Sequence, residues 1–147
     1  MAVILFFGLV PVGFTYYVQT GMWTWETIVT ALACGLVIDT MLMVNNFRDR
    51  EQDAVSGKRT LVVRFGARTG LLLYFLLGMA ACWLCFYFIW LGKIYAVLLP
   101  QLYLIPHILT TQKMARIGKG KALNRILGET SRNMLLFGLL LALGLIL

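Results

Sequence analysis

The sequence predicts an all-α protein, a polytopic membrane helical bundle with about five transmembrane helices. Apolar residues make up 61% of the 147 positions and charged residues only 13%, whereas about a quarter of the residues in an ordinary soluble domain are charged. The apolar residues are grouped into long runs, and most basic residues lie between those runs. We therefore expect a single transmembrane helical domain over residues 1–147, embedded in a lipid bilayer.

Five apolar runs are candidate spans, and in chain order they cover 3–18, 27–47, 69–91, 94–109 and 133–147. At about 1.5 Å per residue the second and third runs rise about 31 and 34 Å, enough to cross a hydrocarbon core of about 30 Å. The fifth rises only about 22 Å and is expected to thin the bilayer, snorkel or stop inside it. Pro11 in the first run and Pro100 and Pro106 in the fourth each remove a backbone hydrogen bond and predict kinks.

Basic residues mark the two connections that should face the cytoplasm. Six of the 13 lie between Arg48 and Arg68, and six between Lys113 and Arg132. The positive-inside rule places both loops on the cytoplasmic side of the cell inner (cytoplasmic) membrane. This topogenic role explains the basic composition, and no nucleic-acid partner is expected. The two loops, of about 21 and 23 residues between the predicted spans, are long enough to contain a site.

Apolar residues follow Met1 directly, without the charged region or the cleavage site of a signal peptide. We therefore expect the chain to be the carboxy-terminal part of a longer protein.

Acidic residues are concentrated where the second span should leave the membrane. If this helix continues past the membrane face, Asp39, Asn46, Asp49 and Asp53 share an arc of about 80°. Asp49 and Asp53 are four residues apart, and their repulsion disfavours two ionised carboxylates unless a cation lies between them. Mg²⁺ takes oxygen ligands, usually one or two carboxylates plus substrate phosphates, so the pair predicts half of a magnesium site. Ordinary surface ion pairs at a helix end remain the alternative.

Other polar residues admit two interpretations each. Asp39 should lie about 15 Å deeper than Asp49, either contacting substrate in a polar cavity or serving as a protonated, hydrogen-bonded core acid. Lys58 and Arg59 follow the acids and suit phosphate oxygens. For His107, a packed imidazole is favoured over a role in lining a cavity. The GKGK sequence at 118–121 lacks the context of a phosphate-binding loop and is interpreted as a solvated basic connector.

The chain resembles the UbiA superfamily of membrane prenyltransferases, and within it the branch that acts on 1,4-dihydroxy-2-naphthoate in menaquinone synthesis. The resemblance covers the whole chain and is strongest at the second aspartate-rich motif of that family, which is matched by NNFRD at 45–49, Asp53 and GKRTL at 57–61. It also includes TYYVQTG at 15–21 and RNMLL at 132–136. Members of the family have nine spans, so this chain would correspond to spans five to nine.

The resemblance implies a magnesium-dependent transferase. Magnesium held by two aspartate-rich motifs binds the diphosphate of a polyprenyl donor, and an electron-rich aromatic acceptor attacks the allylic carbon as diphosphate leaves. By motif position, Asp49 and Asp53 would be the catalytic magnesium ligands, Asn46 would support them, and Lys58 and Arg59 would hold the diphosphate. The chain has no second Asp-x-x-x-Asp pair, so we expect no turnover from it alone.

Two further alternatives remain open at this stage. The acceptor could be another aromatic compound, such as 4-hydroxybenzoate, homogentisate or a tetrapyrrole. A different class is a non-enzymatic transporter or ion-binding bundle in which Asp39 and Asp53 mark an ion path. Transporters usually place polar groups at mid-membrane on several spans, whereas here the acids are concentrated on one helix and its end.

Overall fold

The computed structural model describes residues 4–147, and this part of the chain contains helices and short connections but no strand. A π-helical segment (Ile4–Phe14) leads into α1 (Thr15–Thr20). The following helices are α2 (Trp25–Val55), α3 (Leu61–Phe65), α4 (Ala67–Leu84), α5 (Ile94–Gln101), α6 (Leu104–Ile117) and α7 (Leu123–Ile146). A 3₁₀ segment, Cys85–Leu91, extends α4. The predicted all-α class is confirmed.

Within residues 4–147, four helical stretches are long and apolar enough to cross a membrane, namely Trp25–Val55, Ala67–Leu91, Ile94–Ile117 and Leu123–Ile146. A shorter apolar stretch, Ile4–Thr20, precedes them. These five stretches follow the order of the five predicted runs, and the chain is a multi-pass membrane protein.

Helix α2 is the longest element and positions the acidic residues. The hydroxyl of Thr24 accepts a hydrogen bond from the amide of Thr27 at 3.2 Å, and Glu26 lies in the first turn, where a negative charge complements the helix dipole. The 31 residues of α2 rise about 46 Å, well beyond a hydrocarbon core of about 30 Å. The helix therefore carries its polar final turns out of the membrane interior.

Small residues bring the first helical segment against α2. A Cβ atom on Gly8 would lie 2.5 Å from the carbonyl oxygen of Ala31, and one on Gly35 would lie 2.9 Å from that of Ile4. Ala31 and Gly35 are one turn apart and thus form a flat strip on α2. In a lipid environment, where hydrophobic association between helices is weak, such close backbone contact is a main source of helix packing.

Two clusters of buried side chains form the core within residues 4–147. The cluster nearer the acidic end combines side chains from five helices, among them Phe47, Val62, Tyr74, Met114 and Ile126. The second cluster is built around residues such as Val37, Phe88, Tyr103, Phe137 and Leu141. Because the first cluster holds α2, α3, α4, α6 and α7 together, it fixes the end of α2 relative to the start of α7.

The last two predicted spans were too short. Helix α6 continues to Ile117, and α7 begins at Leu123 and has 24 residues, a rise of about 36 Å that is sufficient to cross the core. The expectation that the fifth span would have to thin the bilayer, snorkel or stop inside it is therefore wrong. Charged residues lower hydropathy without interrupting backbone hydrogen bonding, so the helices continue where the apolar runs end.

The two basic connections are also more ordered than predicted. Residues 118–122 are all that separates α6 from α7, and the first connection contains the short helix α3. Both lie at the same end of the bundle, where the Arg48 guanidinium of α2 donates to the side-chain oxygen of Asn124 in α7 at 3.1 Å. The interpretation of both as long loops was wrong, because most of their residues belong to helices.

The predicted interruption of the fourth span is present. Helix α5 ends at Gln101 and α6 begins at Leu104. Pro106 has no amide hydrogen to donate to the carbonyl of Leu102 one turn earlier. Just before it, the amide of Tyr103 donates to the carbonyl of Pro100, three residues earlier, at 3.1 Å. The two prolines therefore divide this span into two helices.

We expect Gly78→Ala to destabilise the bundle by about 1–3 kcal/mol, the usual cost of overpacking a filled core. A Cβ on Gly78 would collide with the imidazole of the fully buried His107. That ring cannot move easily, because Nδ1 is 2.9 Å from the Tyr103 hydroxyl and Nε2 is 3.3 Å from the carbonyl of Phe75.

Gly138→Ala is the matched control, since a Cβ there meets no atom within 4 Å. It should change stability by no more than about 1 kcal/mol. The measurement is denaturation of both variants in bilayer nanodiscs followed by circular dichroism. Equal stability of the two variants would contradict the packing described for His107.

Candidate functional site

A polar pocket of about 370 Å³ lies at the end of α2, against the connection between α6 and α7. Its lining is Arg48, Asp49, Glu51, Gln52, Lys119, Gly120, Lys121 and Asn124. Lys119 and Lys121 belong to the GKGK sequence that was interpreted as a solvated connector. The structure places them opposite the acidic end of α2, and the Lys119 ammonium is 3.9 Å from the Glu51 carboxylate. The connector interpretation therefore overlooked their contribution to this pocket.

Asp49 lines this pocket and is held by its neighbour. Nε and Nη2 of Arg48 donate to the two carboxylate oxygens of Asp49, each at 2.7 Å. The same guanidinium reaches Asn124, so the bidentate pair also links α2 to α7. The Asp49 side chain retains 33% exposure. Because the pair is partly exposed, water screens it, and a doubly charged cation can compete with the guanidinium for the Asp49 oxygens.

Asp53 lies one turn further along α2 and is buried, with 8% exposure. The Lys58 ammonium donates to Oδ1 at 3.3 Å, whereas Oδ2 has no hydrogen-bond partner within residues 4–147. Lys58 reaches back because the chain reverses at Gly57, whose φ of 76° is in the left-handed region that favours glycine. The amide of Lys58 then donates to the carbonyl of Asp53 at 2.8 Å.

The other predicted site residues are placed less directly. Asn46 is half-buried and Arg59 is exposed, and neither side chain makes a hydrogen bond within the described part of the chain. Asp39 is buried, ten residues before Asp49, and its Oδ1 has no partner there either. Asp39 does not line the pocket at the end of α2. The structure thus brings Asp49 to the pocket and Asp53 to Lys58, and leaves Asp39 deeper in the bundle.

The carboxylates fit part of a site for a hard divalent cation. No three His, Cys, Asp or Glu side chains lie close enough to hold a metal within residues 4–147. Magnesium, however, commonly takes only one or two carboxylates and completes its shell with water and phosphate oxygens. The buried, unpartnered oxygen of Asp53 and the exchangeable carboxylate of Asp49, one turn apart, are donors of the required kind. The surrounding Lys and Arg side chains suit a polyanionic ligand.

Two groups of polar residues had no place in the sequence interpretation. Asn124 fixes Arg48 in the pocket, and Glu129 of α7 is buried against Lys113 of α6. The sequence carries a signal for Glu129, because Arg125, Glu129 and Arg132 recur at intervals of four and three residues, the spacing of one helix face. His107, by contrast, is packed in the core as the favoured interpretation predicted.

Comparison with known proteins gives a consistent set of relatives. The sequence profile of the UbiA prenyltransferase family matches residues 1–127. A 1,4-dihydroxy-2-naphthoate octaprenyltransferase of Haemophilus influenzae is 47% identical over 88 residues, covering 58% of this chain and 29% of the relative. A protein of the same name from Mycobacterium tuberculosis is 42% identical over 81 residues, covering 54% and 28% respectively.

A UbiA prenyltransferase domain-containing protein 1 homolog of Drosophila melanogaster aligns with nearly the whole chain. It is 29% identical over 142 residues, which is 95% of this chain and 38% of the relative. The matched region therefore spans less than two fifths of the length of each of these three relatives. No solved structure matches the chain.

We expect magnesium to stabilise the protein through Asp49 and Asp53. At a magnesium concentration ten times its Kd, a ligand that binds only the folded state adds about 1.4 kcal/mol to the free energy of unfolding. Asp53→Asn and Asp49→Asn should abolish this increase, because each removes a carboxylate from the site. Thermal unfolding in phosphatidylcholine nanodiscs, with and without magnesium, provides the measurement.

Glu26→Gln removes an acidic group from the opposite end of α2 and should leave the magnesium effect intact. Sodium chloride at the same ionic strength controls for general screening. An equal effect of magnesium on the wild type and on Asp53→Asn would exclude the proposed ligands.

Proposed function

The chain belongs to the UbiA prenyltransferase family, and we propose that it transfers a polyprenyl group from polyprenyl diphosphate to 1,4-dihydroxy-2-naphthoate in menaquinone biosynthesis. We further propose that Asp49 and Asp53 supply one of the two carboxylate pairs that hold the metal. The other pair would come from a segment equivalent to the part of the relatives that the match does not cover. The family makes it a transferase. The acceptor follows the names of the relatives, each of which extends well beyond the matched region.

One observation carries the proposal. A buried carboxylate with an unpartnered oxygen, Asp53, lies one turn from Asp49 at the end of α2, and Lys58 folds back beside it. Carboxylates adjacent to permanent cations are what a diphosphate held through a divalent ion requires. Magnesium, when bound, would neutralise charge on the diphosphate and make it a better leaving group.

The side chains of this chain would then act in a defined order. Diphosphate carries more negative charge than a carboxylate, so it competes with Asp49 for the guanidinium of Arg48. The release of Arg48 frees both oxygens of Asp49 for the cation. Lys58 remains beside Asp53 and, with Arg59, neutralises the departing diphosphate. Fixed positive groups of this kind stabilise charge that develops as the bond to the allylic carbon breaks.

The apolar interior supports the same chemistry. An allylic cation reacts with water, so transfer to an aromatic ring needs a site from which water is excluded. Phe47 and Tyr74 are fully buried in the cluster at the acidic end of the bundle. In this proposal Asn46 orients the carboxylates from the same face of α2. Asp39, deeper in the bundle, accepts a hydrogen bond from a hydroxyl group of the acceptor.

The proposed orientation follows from the basic connections. Both lie at the end of the bundle that carries Asp49, and the positive-inside rule assigns that end to the cytoplasmic side of the inner membrane. The donor diphosphate would then be bound at the cytoplasmic membrane surface, with its apolar chain in the bilayer.

A chimera tests the proposal, in which this chain replaces the corresponding part of the Haemophilus influenzae relative. In membranes it should prenylate 1,4-dihydroxy-2-naphthoate in a magnesium-dependent manner. Asp49→Asn and Asp53→Asn should each lower the rate about 100-fold or more, because several kcal/mol of charge stabilisation are lost. Product formation from a labelled polyprenyl diphosphate is quantified by mass spectrometry.

Glu26→Gln in the same chimera is the matched control and should retain a rate within about twofold of the unmodified chimera, because it lies far from the site. Unchanged rates for both Asp variants would refute the site assignment. Faster prenylation of 4-hydroxybenzoate than of 1,4-dihydroxy-2-naphthoate would refute the proposed acceptor but leave prenyl transfer in place.

A further inference from the structure

A second cavity, of about 380 Å³, lies between α6 and α7 and is termed here the α6–α7 groove. Its lining is Pro106, Leu109, Thr110 and Lys113 from α6 and Arg125, Glu129, Arg132, Asn133 and Leu136 from α7. Within each helix these positions recur at intervals of three or four residues, which places them on one face. Each helix therefore turns a single continuous stripe toward the groove.

The groove is separate from the pocket that contains Asp49. No residue lines both cavities. Asn124 lines the pocket and Arg125, the next residue, lines the groove. Successive side chains of an α-helix point about 100° apart, so the first turns of α7 form a wall between the two cavities.

The charged end of the groove has a surplus of positive charge. Three basic side chains and one carboxylate line it, a formal net charge of +2. Glu129 is buried and binds the Lys113 ammonium with both oxygens, at 3.0 and 2.9 Å, and Nε of Arg125 lies 3.3 Å from it. Arg132 makes no ion pair with any residue of 4–147. Glu129 thus holds the Lys113 and Arg125 side chains in place, but its single negative charge leaves the groove with a net positive charge.

The groove also changes character along the membrane normal. Lys113 lies seven residues after Pro106, or about 10 Å closer to the basic connection, and Arg125 lies about 16 Å closer to it than Leu136. Lys113 and Arg125 therefore lie nearest the membrane surface, Arg132 lies about 10 Å deeper than Arg125, and the apolar groups are deeper still. Leu109 has 51% exposure and Leu136 has 36%. The deeper, apolar part of the groove is therefore exposed on the outside of the helix bundle.

We propose that the α6–α7 groove is a binding site for an anionic phospholipid. The headgroup phosphate binds Arg132 and the outward-facing donors of Arg125 and Lys113, and an acyl chain lies along Leu109 and Leu136. The charge complementarity and the order of polar and apolar groups along the groove support this occupant. Basic pockets between transmembrane helices on the cytoplasmic side are typical sites for anionic headgroups. The proposal does not depend on the prenyltransferase function.

The test uses the 147-residue chain in phosphatidylcholine nanodiscs that contain a small fraction of spin-labelled phosphatidylglycerol. Electron paramagnetic resonance measures the fraction of label that is motionally restricted by the protein, compared with labelled phosphatidylcholine. We expect preferential restriction of the anionic lipid. Arg132→Gln and Arg125→Gln should each lower that preference about fivefold, the loss expected when one charged hydrogen bond to the headgroup phosphate is removed.

Arg116→Gln is the matched control, since Arg116 is exposed in the last turn of α6 and lines neither cavity. It should keep the full preference. Arg132→Gln should also remain folded, because Arg132 makes no ion pair within residues 4–147, and circular dichroism verifies this. Arg132→Lys retains the charge and should preserve most of the preference.

Three results would overturn the proposal. The first is an equal loss of preference in Arg116→Gln and Arg132→Gln, which would indicate only general surface charge. The second is release of the restricted lipid by inorganic phosphate at millimolar concentration, which would indicate a site for a soluble anion. The third is equal restriction of phosphatidylglycerol and phosphatidylcholine in the wild type, which would indicate that no specific anionic lipid is bound.

Discussion

The absence of water from the bilayer interior is the constraint on which this structure depends. Backbone groups within the hydrocarbon must be bonded inside the protein, which makes every described crossing helical. The same constraint moves charged side chains to the ends of the helices. Asp39 is the exception, since it is buried in the middle of α2 with an unpartnered carboxylate oxygen. An acid at that depth is costly. This cost is the reason for the proposal that Asp39 binds the acceptor.

The length of α2 explains why a candidate site lies at its end. Because the helix is much longer than the hydrocarbon core, its last turns carry Asp49 and Asp53 to the surface while remaining rigid. The link from Arg48 to Asn124 then ties these turns to α7. The geometry of the carboxylates is therefore set by two packed helices and not by a loop, which suits a site that must hold a highly charged ligand in one position.

The sequence predicted the fold class and the order of the spans because hydropathy reports directly on helices that cross a membrane. It also placed Asp49 and Asp53 on one helix face, since α2 continues unbroken to Val55. The prediction from sequence was wrong where charged residues lie inside a helix. Lys113, Arg125 and Glu129 lie in continuous helices, but their low hydropathy led to the prediction of a long loop, and the groove between α6 and α7 was missed. Tertiary pairings such as Arg48 with Asn124 join residues 76 positions apart and leave no local pattern.

Helix α7 separates two cavities for which phosphate-bearing ligands are proposed, and the cavities differ in the number of acidic side chains that line them. The pocket at the end of α2 is lined by three basic and two acidic side chains, whereas the groove has three basic side chains and one acid. Without a divalent cation the groove is thus the more positive of the two. A cation bound at Asp49 would reverse that order, because it adds two positive charges to the pocket alone. In such an arrangement a bound cation would favour diphosphate in the pocket, whereas the groove would attract a phosphate headgroup without a metal.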